Sequence, residues 1–298
     1  MVFHGTGNVL ETKEKKDEKN KQIMRTFKEK HYLCIEKIKS MAENKYQYSY
    51  QYPHPAVTTD CVVFGYDVAP EDRESKKKNK RMALQVLLIE RGGEPYKGCW
   101  ALPGGFLRSE DYDGRPADEN VEACALRELR EETGVDVDSV EQFKVYSELS
   151  RDPRERVITV AHLALVKKCE VVGGDDAANA QWFDINDLPD LAFDHQQILD
   201  DALEELRCRI HYKPIGFELM PEQFTMSQLK QLYDTILDND AEHELDRRNF
   251  HRKMVTLGIV EPADASAERR ERSRIMFRFN KEKYNQFKKA KSGFRPEF

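Results

Sequence analysis

The chain has 298 residues, of which 39% are hydrophobic and 34% charged, and its formal net charge is −6. This is room for one large or two moderate packed domains, and no apolar run approaches the ~18 residues of a membrane span. The N-terminus lacks an apolar signal region, and six cysteines are scattered without C-x-x-C or metal-like spacing. These features argue against a secreted disulfide scaffold or a structural zinc site and predict a cytoplasmic protein with reduced thiols that serve as small buried hydrophobes in preference to catalytic groups. The charge is uneven: residues 221–298 carry 16 Lys and Arg against 13 Asp and Glu, and the tail from Ala265 carries 11 against 4. A basic end on an acidic chain points to a polyanion partner.

Three blocks follow one another. Residues 1–54 form an N-terminal extension, charged and partly helical. In it Ile23, Phe27, Cys34, Ile35, Ile38 and Met41 recur near helical spacing, predicting one amphipathic helix. Residues 55–211 alternate strands with helices. Thr58–Tyr66 and Met82–Glu90 read as strands joined by a charged loop, Glu71 to Arg81. Phe143–Ser150, Arg156–Lys167 and Asn179–Ile185 are further strands, and a helix runs from about His195 to Arg207. Trp100 and Trp182 are expected in the core, and His195 is expected to cap or pack at its helix start.

Between the second strand and the rest lies Leu102-Pro-Gly-Gly-Phe106, a turn that exposes bare backbone at Gly104 and Gly105. Downstream, Ala125-Leu-Arg-Glu-Leu-Arg-Glu-Glu-Thr-Gly-Val135 places Glu128, Glu131 and Glu132 at i, i+3 and i+4. On a helix these three carboxylates share one face, with Ala123, Ala125, Leu126 and Leu129 expected to supply an apolar face and Gly134 at the C-terminus. Like charges so placed repel one another, and a hard divalent cation would relieve them. A solvated charged helix gives the same pattern in a chain this rich in charge. Both readings stand on these residues alone.

Residues 212–298 have another plan. Thr225-Met-Ser-Gln228 is a capping-box opening to a helix with Leu229, Leu232, Tyr233 and Ile236 inward. Asp238 to Glu244 forms an acidic link. A second helix from Asp246 buries Phe250, Met254 and Leu257 and exposes Arg247, Arg248, His251, Arg252 and Lys253. An alternating strand, Arg274–Phe279, follows. Helix, link, basic helix and basic hairpin is the plan of a winged helix-turn-helix.

The order of strand, Pro-Gly-Gly turn and acidic helix resembles the Nudix hydrolases, whose box is G-x5-E-x7-R-E-U-x-E-E-x-G-U with U aliphatic. Arg127, Glu128, Leu129, Glu131, Glu132, Gly134 and Val135 all match, and Glu119 stands eight residues before Arg127. Thirteen residues separate Gly105 from Glu119 where the pattern has five, a polar loop insertion over Arg108 to Pro116. Ser150-Arg-Asp-Pro153, Leu191-Ala-Phe-Asp-His195, Pro214-Ile-Gly-Phe217, Phe224-Thr-Met-Ser-Gln-Leu229 and Asp246-Arg-Arg-Asn-Phe250 resemble, within that family, the Nudix-related transcriptional regulators. The resemblance implies an α/β fold: a Nudix α/β/α sandwich with a C-terminal winged helix-turn-helix domain. In many such regulators the acidic box is eroded, whereas here it is complete.

The resemblance also implies roles. Glu128, Glu131 and Glu132 are the expected ligands of Mg²⁺ (or Mn²⁺), and Arg127 is an internal partner for a box carboxylate, Glu131 being its i+4 neighbour. Glu119 is either an outer catalytic group or merely the start of the helix, with Asn120 as its cap. Gly104 and Gly105 are expected to meet substrate. Arg91 and Arg151 either contact phosphate or ribose or form surface ion pairs. The general base is not identified; Glu148 and Glu155 are candidates only as strand-end carboxylates. Arg247, Arg248, His251 and Arg252 are the expected contacts to double-stranded DNA. One expectation is therefore a Mg-dependent pyrophosphohydrolase acting on ADP-ribose or a related nucleoside diphosphate derivative. The alternative is a regulator of NAD or sugar metabolism whose Nudix domain senses such a ligand. A homodimer is expected by analogy with regulators that read two half-sites.

Overall fold

The computed structural model describes residues 51–69, 72, 80–109, 111, 114–171, 173–174, 177–238, 245–264 and 275–289. The amphipathic helix expected within 1–54, most of the 71–81 loop, most of the acidic link and most of the basic tail lie outside them. From Pro53 onward the chain forms one compact unit. Among the described residues, no helix is long and apolar enough to cross a membrane.

Seven strands build the main sheet: β1 Ala56–Val68, β2 Met82–Arg91, β3 Trp100–Ala101, β4 Gly104–Phe106, β5 Glu141–Tyr146, β6 Val157–Val166 and β7 Ala177–Asp184. The order is β3-β2-β1-β6-β5, with β4 pairing β1 and β7 pairing β2. Only β1 and β6 run parallel; the other pairs are antiparallel. β1 is apolar at consecutive positions because both faces of the sheet are covered. Cys61 and Val63 face one side, where Ala125 and Leu129 of helix α1 (Val121–Thr133) pack over them. Val62 and Phe64 face the other, under Ile198, Leu199 and Ala202 of helix α2 (His195–Arg209). This is the expected α/β/α sandwich. Trp182 is buried on the α1 side and donates from Nε1 to the Cys169 carbonyl at 3.0 Å, while Trp100 is half-buried, edge-on to Phe183 at 4.6 Å. Of the described cysteines, Cys61 and Cys124 are buried, Cys99 is half-buried, and Cys169 and Cys208 are exposed.

Several boundaries shift by one or two residues from the sequence reading, and two segments differ in kind. β5 ends at Tyr146, and the residues up to Ser150 turn away instead of extending the strand. The Pro-Gly-Gly segment is more than a turn: Gly104–Phe106 is a strand, with Asp60 opposite Gly104 and Thr58 opposite Phe106. A Cβ on Gly104 would stand 2.1 Å from the Thr59 carbonyl oxygen, so only glycine lets β4 lie there. Gly104→Ala is expected to cost about 1–3 kcal/mol through overpacking against backbone. Urea unfolding checks this, and an unchanged midpoint would contradict it.

The C-terminal part holds α3 (Met226–Leu237), α4 (Arg247–Leu257) and a three-stranded sheet of β8 (Phe224–Thr225), β10 (Met276–Phe279) and β9 (Val260–Pro262), in that order. Thr225 and Gln228 form both halves of the capping box, and Leu229, Leu232, Tyr233 and Ile236 are all buried. Asp246 caps α4, which buries Phe250 and Met254 and leaves Leu257 half-buried. A further helix, α5 (Lys281–Lys289), was not anticipated: its pattern is mostly Lys and polar, and Tyr284 alone is buried among its described side chains. The elements are those of a winged helix. Its core is continuous with that of the sandwich, since Leu206 and Ile210 share one apolar cluster with Ile215, Leu219 and Leu232. Arg207 adds a hydrogen bond from Nε to the Ile236 carbonyl at 3.1 Å. A division at 211/212 thus cuts through packed apolar surface.

Candidate active site and nucleic-acid interface

Helix α1 presents the acidic face. Asn120 caps it by accepting from the Ala123 amide at 2.8 Å, and Gly134 ends it in the left-handed region at φ 71°. With Ala125 and Leu129 fixed inward, the glutamates flank strand β4. Glu132 is buried and accepts the Gly104 N–H at 2.8 Å. The Glu128 carboxyl lies so close to Gly105 that a Cβ there would stand 2.5 Å from it. The bare backbone expected from the Pro-Gly-Gly segment is therefore spent on these two carboxylates. Burial raises the Glu128 pKa, and the Arg127 hydrogen bond opposes the rise without cancelling it.

Arg127 is the hub beneath this face. It donates at 2.7 Å from both Nε and Nη2 to Asp118, and from Nη1 to Glu128 at 2.5 Å and to Glu131 at 3.1 Å. The expected i+4 pairing with Glu131 is present, but the Asp118 fork is the better-formed contact. Burial disfavours the Asp118 charge, yet Arg127 and the Arg108 amide outweigh it and hold the pKa below the usual carboxylate range. Asp118 and not Glu119 therefore faces inward. Glu119 is exposed and does not line the cleft, because it sits one residue before the Asn120 cap and the turn directs it outward. Glu131 is turned to Arg108 and Arg127 and lies outside the cleft lining, while Glu128 and Glu132 line it.

The cleft has a volume of about 410 Å³. Carboxylates of Asp60, Glu128 and Glu132 line it together with four guanidinium residues, Arg91, Arg108, Arg151 and Arg154. Arg91 donates from Nε to the Pro95 carbonyl at 2.9 Å and lies over the Phe193 ring. Arg151 does not form a surface ion pair. It is buried, forked onto Asp194 at 2.9 and 2.7 Å, and 3.3 Å from Asp60. Beside it, His195 Nδ1 accepts the Leu102 N–H at 2.9 Å, which assigns the ring proton to Nε2, 3.6 Å from Asp60. Glu148 and Glu155 are exposed and do not line the cleft.

Among the described residues no three His, Cys, Asp or Glu side chains form a closed metal cage. Two desolvated carboxylates beside side-chain-free backbone nevertheless suit Mg²⁺, which typically takes one or two carboxylates and completes its shell with water and substrate phosphate. Glu128 and Glu132 are the residues that fit.

On the winged helix, Arg247, Arg248, His251 and Arg252 are exposed on one side of α4. Arg252 donates to Asn249 at 3.0 Å, and His251 lies edge-on to Phe277 at 5.8 Å. Lys253, expected among them, is half-buried.

Residues 77–204 match the NUDIX domain model, and residues 216–279 match the NrtR DNA-binding winged helix domain. An ADPR responsive transcriptional repressor, NtrR, of Acinetobacter baylyi is 34% identical over 244 residues, covering 81% of this chain and 88% of that protein. The chain belongs to the Nudix-related transcriptional regulators. An ADP-ribose pyrophosphatase of Methanocaldococcus jannaschii is 40% identical over 152 residues, 51% of this chain and 75% of its own length. A MutT/nudix family protein from Enterococcus faecalis superposes with TM-score 0.60 at 27% identity, covering 78% of this chain and 89% of that one.

As in Nudix hydrolases generally, chemistry with a divalent metal ion is the family's common ground. Against that background, sequence reading missed Asp118, Asp60, Arg108 and Arg154. Asp118 carried a weak signal, an acid two residues before a helix cap; Asp60 and Arg108 carry none, since their partners lie far away in sequence, and Arg154 showed only a neighbouring Asp152. Two buried histidines bear on this regulator's stability. Burial lowers the pKa of His195 and of His162, whose Nε2 is buried with no hydrogen-bond partner among the described residues. Both rings are neutral in the fold, whereas unfolded imidazoles protonate near pH 6.5. The unfolded state then binds more protons, so stability is complete above that pH and falls below it. Each histidine contributes a slope of up to about 1.4 kcal/mol per pH unit. Unfolding midpoints between pH 7.5 and 5.5 test this; a flat profile would contradict it.

Proposed function

We propose that the Nudix domain hydrolyses ADP-ribose or a related nucleoside diphosphate derivative with Mg²⁺ (or Mn²⁺), and that the winged helix binds double-stranded DNA as part of a homodimer. The observation that carries the first half is the placement of Glu128 and Glu132 in one cleft with Gly104, Gly105 and several guanidinium groups. Likeness to the M. jannaschii ADP-ribose pyrophosphatase supports the ligand class.

Mg²⁺ bound by Glu128 and Glu132 would neutralise diphosphate charge and make phosphorus a better electrophile. The protein's own groups do the rest. The Gly104 N–H orients Glu132, and Arg127 keeps Glu128 aligned at the cleft wall. Gly104 and Gly105 leave room for the two carboxylates at the cleft wall, and Arg91 and Arg108 supply positive charge for the diphosphate. Arg151 acts through Asp60 and Asp194, whose charges it balances, and holds the cleft floor against α2. Water adds to phosphorus as the bridging P–O bond breaks, giving AMP and ribose 5-phosphate. Purified protein incubated with ADP-ribose and Mg²⁺ should release AMP; absence of AMP with this and other nucleoside diphosphate derivatives would refute the reading.

A second reading is favoured by a separate observation: the likeness to the A. baylyi repressor spans both domains. In it, the cleft senses ADP-ribose and the exposed arginines of α4 hold DNA. Coupling requires that the ligand bind the DNA-competent and incompetent states unequally. The shared core between sandwich and winged helix supplies a route for it, and hydrolysis would end the signal. A cytoplasmic location, with access to DNA and free thiols, fits both readings.

A further inference from the structure

Hydrolysis needs a group to take the proton of the attacking water. Among the described residues five carboxylates line the cleft: Asp60, Glu94, Glu128, Glu132 and Asp152. Four of them are unsuited. Glu128 and Glu132 are the pair that fits a cation, and Glu132 already accepts the Gly104 N–H at 2.8 Å. Asp152 is saturated by Arg154, which donates from its amide at 2.9 Å, from Nε at 3.0 Å and from Nη2 at 2.7 Å. Glu94 is exposed on the loop between β2 and β3, where no described residue holds its carboxylate. The imidazole of His195 is excluded as well: its Nδ1 lone pair accepts the Leu102 N–H, and Nε2 carries the proton.

Asp60 remains. It is buried on β1, opposite Gly104 in the ladder, and a Cβ on that glycine would stand 3.0 Å from its Oδ1. Glu132 meets the N–H of the same glycine, so Asp60 from β1 and Glu132 from α1 close on one point of the cleft wall. β1 is flanked by β2, β4 and β6, which sets the carboxylate on a rigid element. Asp60 is also held without being used up. Arg151 Nη2 lies 3.3 Å from its Oδ2, and the proton-bearing Nε2 of His195 lies 3.6 Å from its Oδ1. Both distances exceed the ~2.8 Å of a charge-assisted hydrogen bond. Arg151 spends its shorter contacts, 2.9 and 2.7 Å, on Asp194. A guanidinium and an imidazole N–H thus fix the place of the carboxylate and leave it lone pairs for a water.

We infer that Asp60 is the general base for the attacking water, and that Arg151 and His195 are its positioning residues. The inference rests on the hydrolytic reading. As the water oxygen forms its bond to phosphorus, one water proton passes to the Asp60 carboxylate. The bridging oxygen leaves with the electron pair of the broken P–O bond, and Asp60 then gives the proton to solvent.

AMP release from ADP-ribose by the full-length chain, followed from neutral to alkaline pH, tests this. With Asp60→Asn the rate near neutrality should fall by about 10²–10⁴-fold, the scale of general-base catalysis. It should then climb about ten-fold with each pH unit, because hydroxide attacks without help from a base, whereas wild type stays level. Calorimetry should find Mn²⁺ bound as tightly by the Asn variant as by wild type. Asp60→Glu keeps a carboxylate and should be slower than wild type but equally level with pH; it carries the test if the Asn variant does not fold. An equal loss at every pH in Asp60→Asn overturns the inference, since that marks a structural role. A climbing profile in Asp60→Glu overturns it too, as does weakened Mn²⁺ binding, which would make Asp60 a cation ligand. A wild type that releases no AMP removes the hydrolytic reading and the base with it. AMP release that is as fast with Asp60→Asn removes the inference alone.

Discussion

Glu132→Gln is expected to slow AMP release from ADP-ribose by about 10²–10³-fold, the scale of removing one group that stabilises transition-state charge. The substitution is chosen because the amide oxygen of Gln still accepts the Gly104 N–H, now met at 2.8 Å. The helix and β4 should therefore stay in place, and the melting temperature should hold. What disappears is one of the two glutamates of α1 that line the cleft, and with it charge available to a hard cation. Raising the Mg²⁺ concentration should recover part of the rate, because the defect is in metal affinity. A variant as active as wild type at equal Mg²⁺ would remove Glu132 from the site.

The double substitution Arg247→Ala, Arg248→Ala is expected to weaken DNA binding and flatten its salt dependence. Each lost phosphate contact reduces the slope of log K against log salt by about 0.9, so the slope should fall by about 2 if both arginines touch phosphate. Both side chains are exposed, and α4 is capped by Asp246 and packed through Phe250 and Met254, so folding should be unaffected. Titration of the DNA upstream of the protein's own operon across salt concentrations checks this. An unchanged slope would show that α4 is only a solvated face. Adding ADP-ribose to the same titration asks whether the cleft and α4 are coupled.

The acidic helix was legible because every feature of it is local. Helical periodicity brings Glu128 and Glu132 together one turn apart, and Asn120 and Gly134 bound the helix by capping rules that act within four residues. The same holds for α3, whose capping box and four inward residues are all as read. Glu119 shows the limit. The motif counts residues and picks it, but the turn before the cap points Asp118 inward, and only an assembled Arg127 reveals that. α5 was hidden for a different reason: its polar pattern resembles a tail, and its docking depends on Tyr284 reaching Glu218 at 2.8 Å across 66 residues.

By itself the sequence determined most of the elements, the two domains' types and the carboxylates of the acidic face, since periodicity and capping act over a few residues. Tertiary structure alone decided how those parts serve the cleft. It divided the three glutamates, two to the cleft and one to Arg108, and buried Arg151 between Asp60 and Asp194. It also ran one core through both domains. Such contacts join residues tens of positions apart, where the partner of a charge or a ring is set by the packing of the sheet and not by its neighbours in the chain.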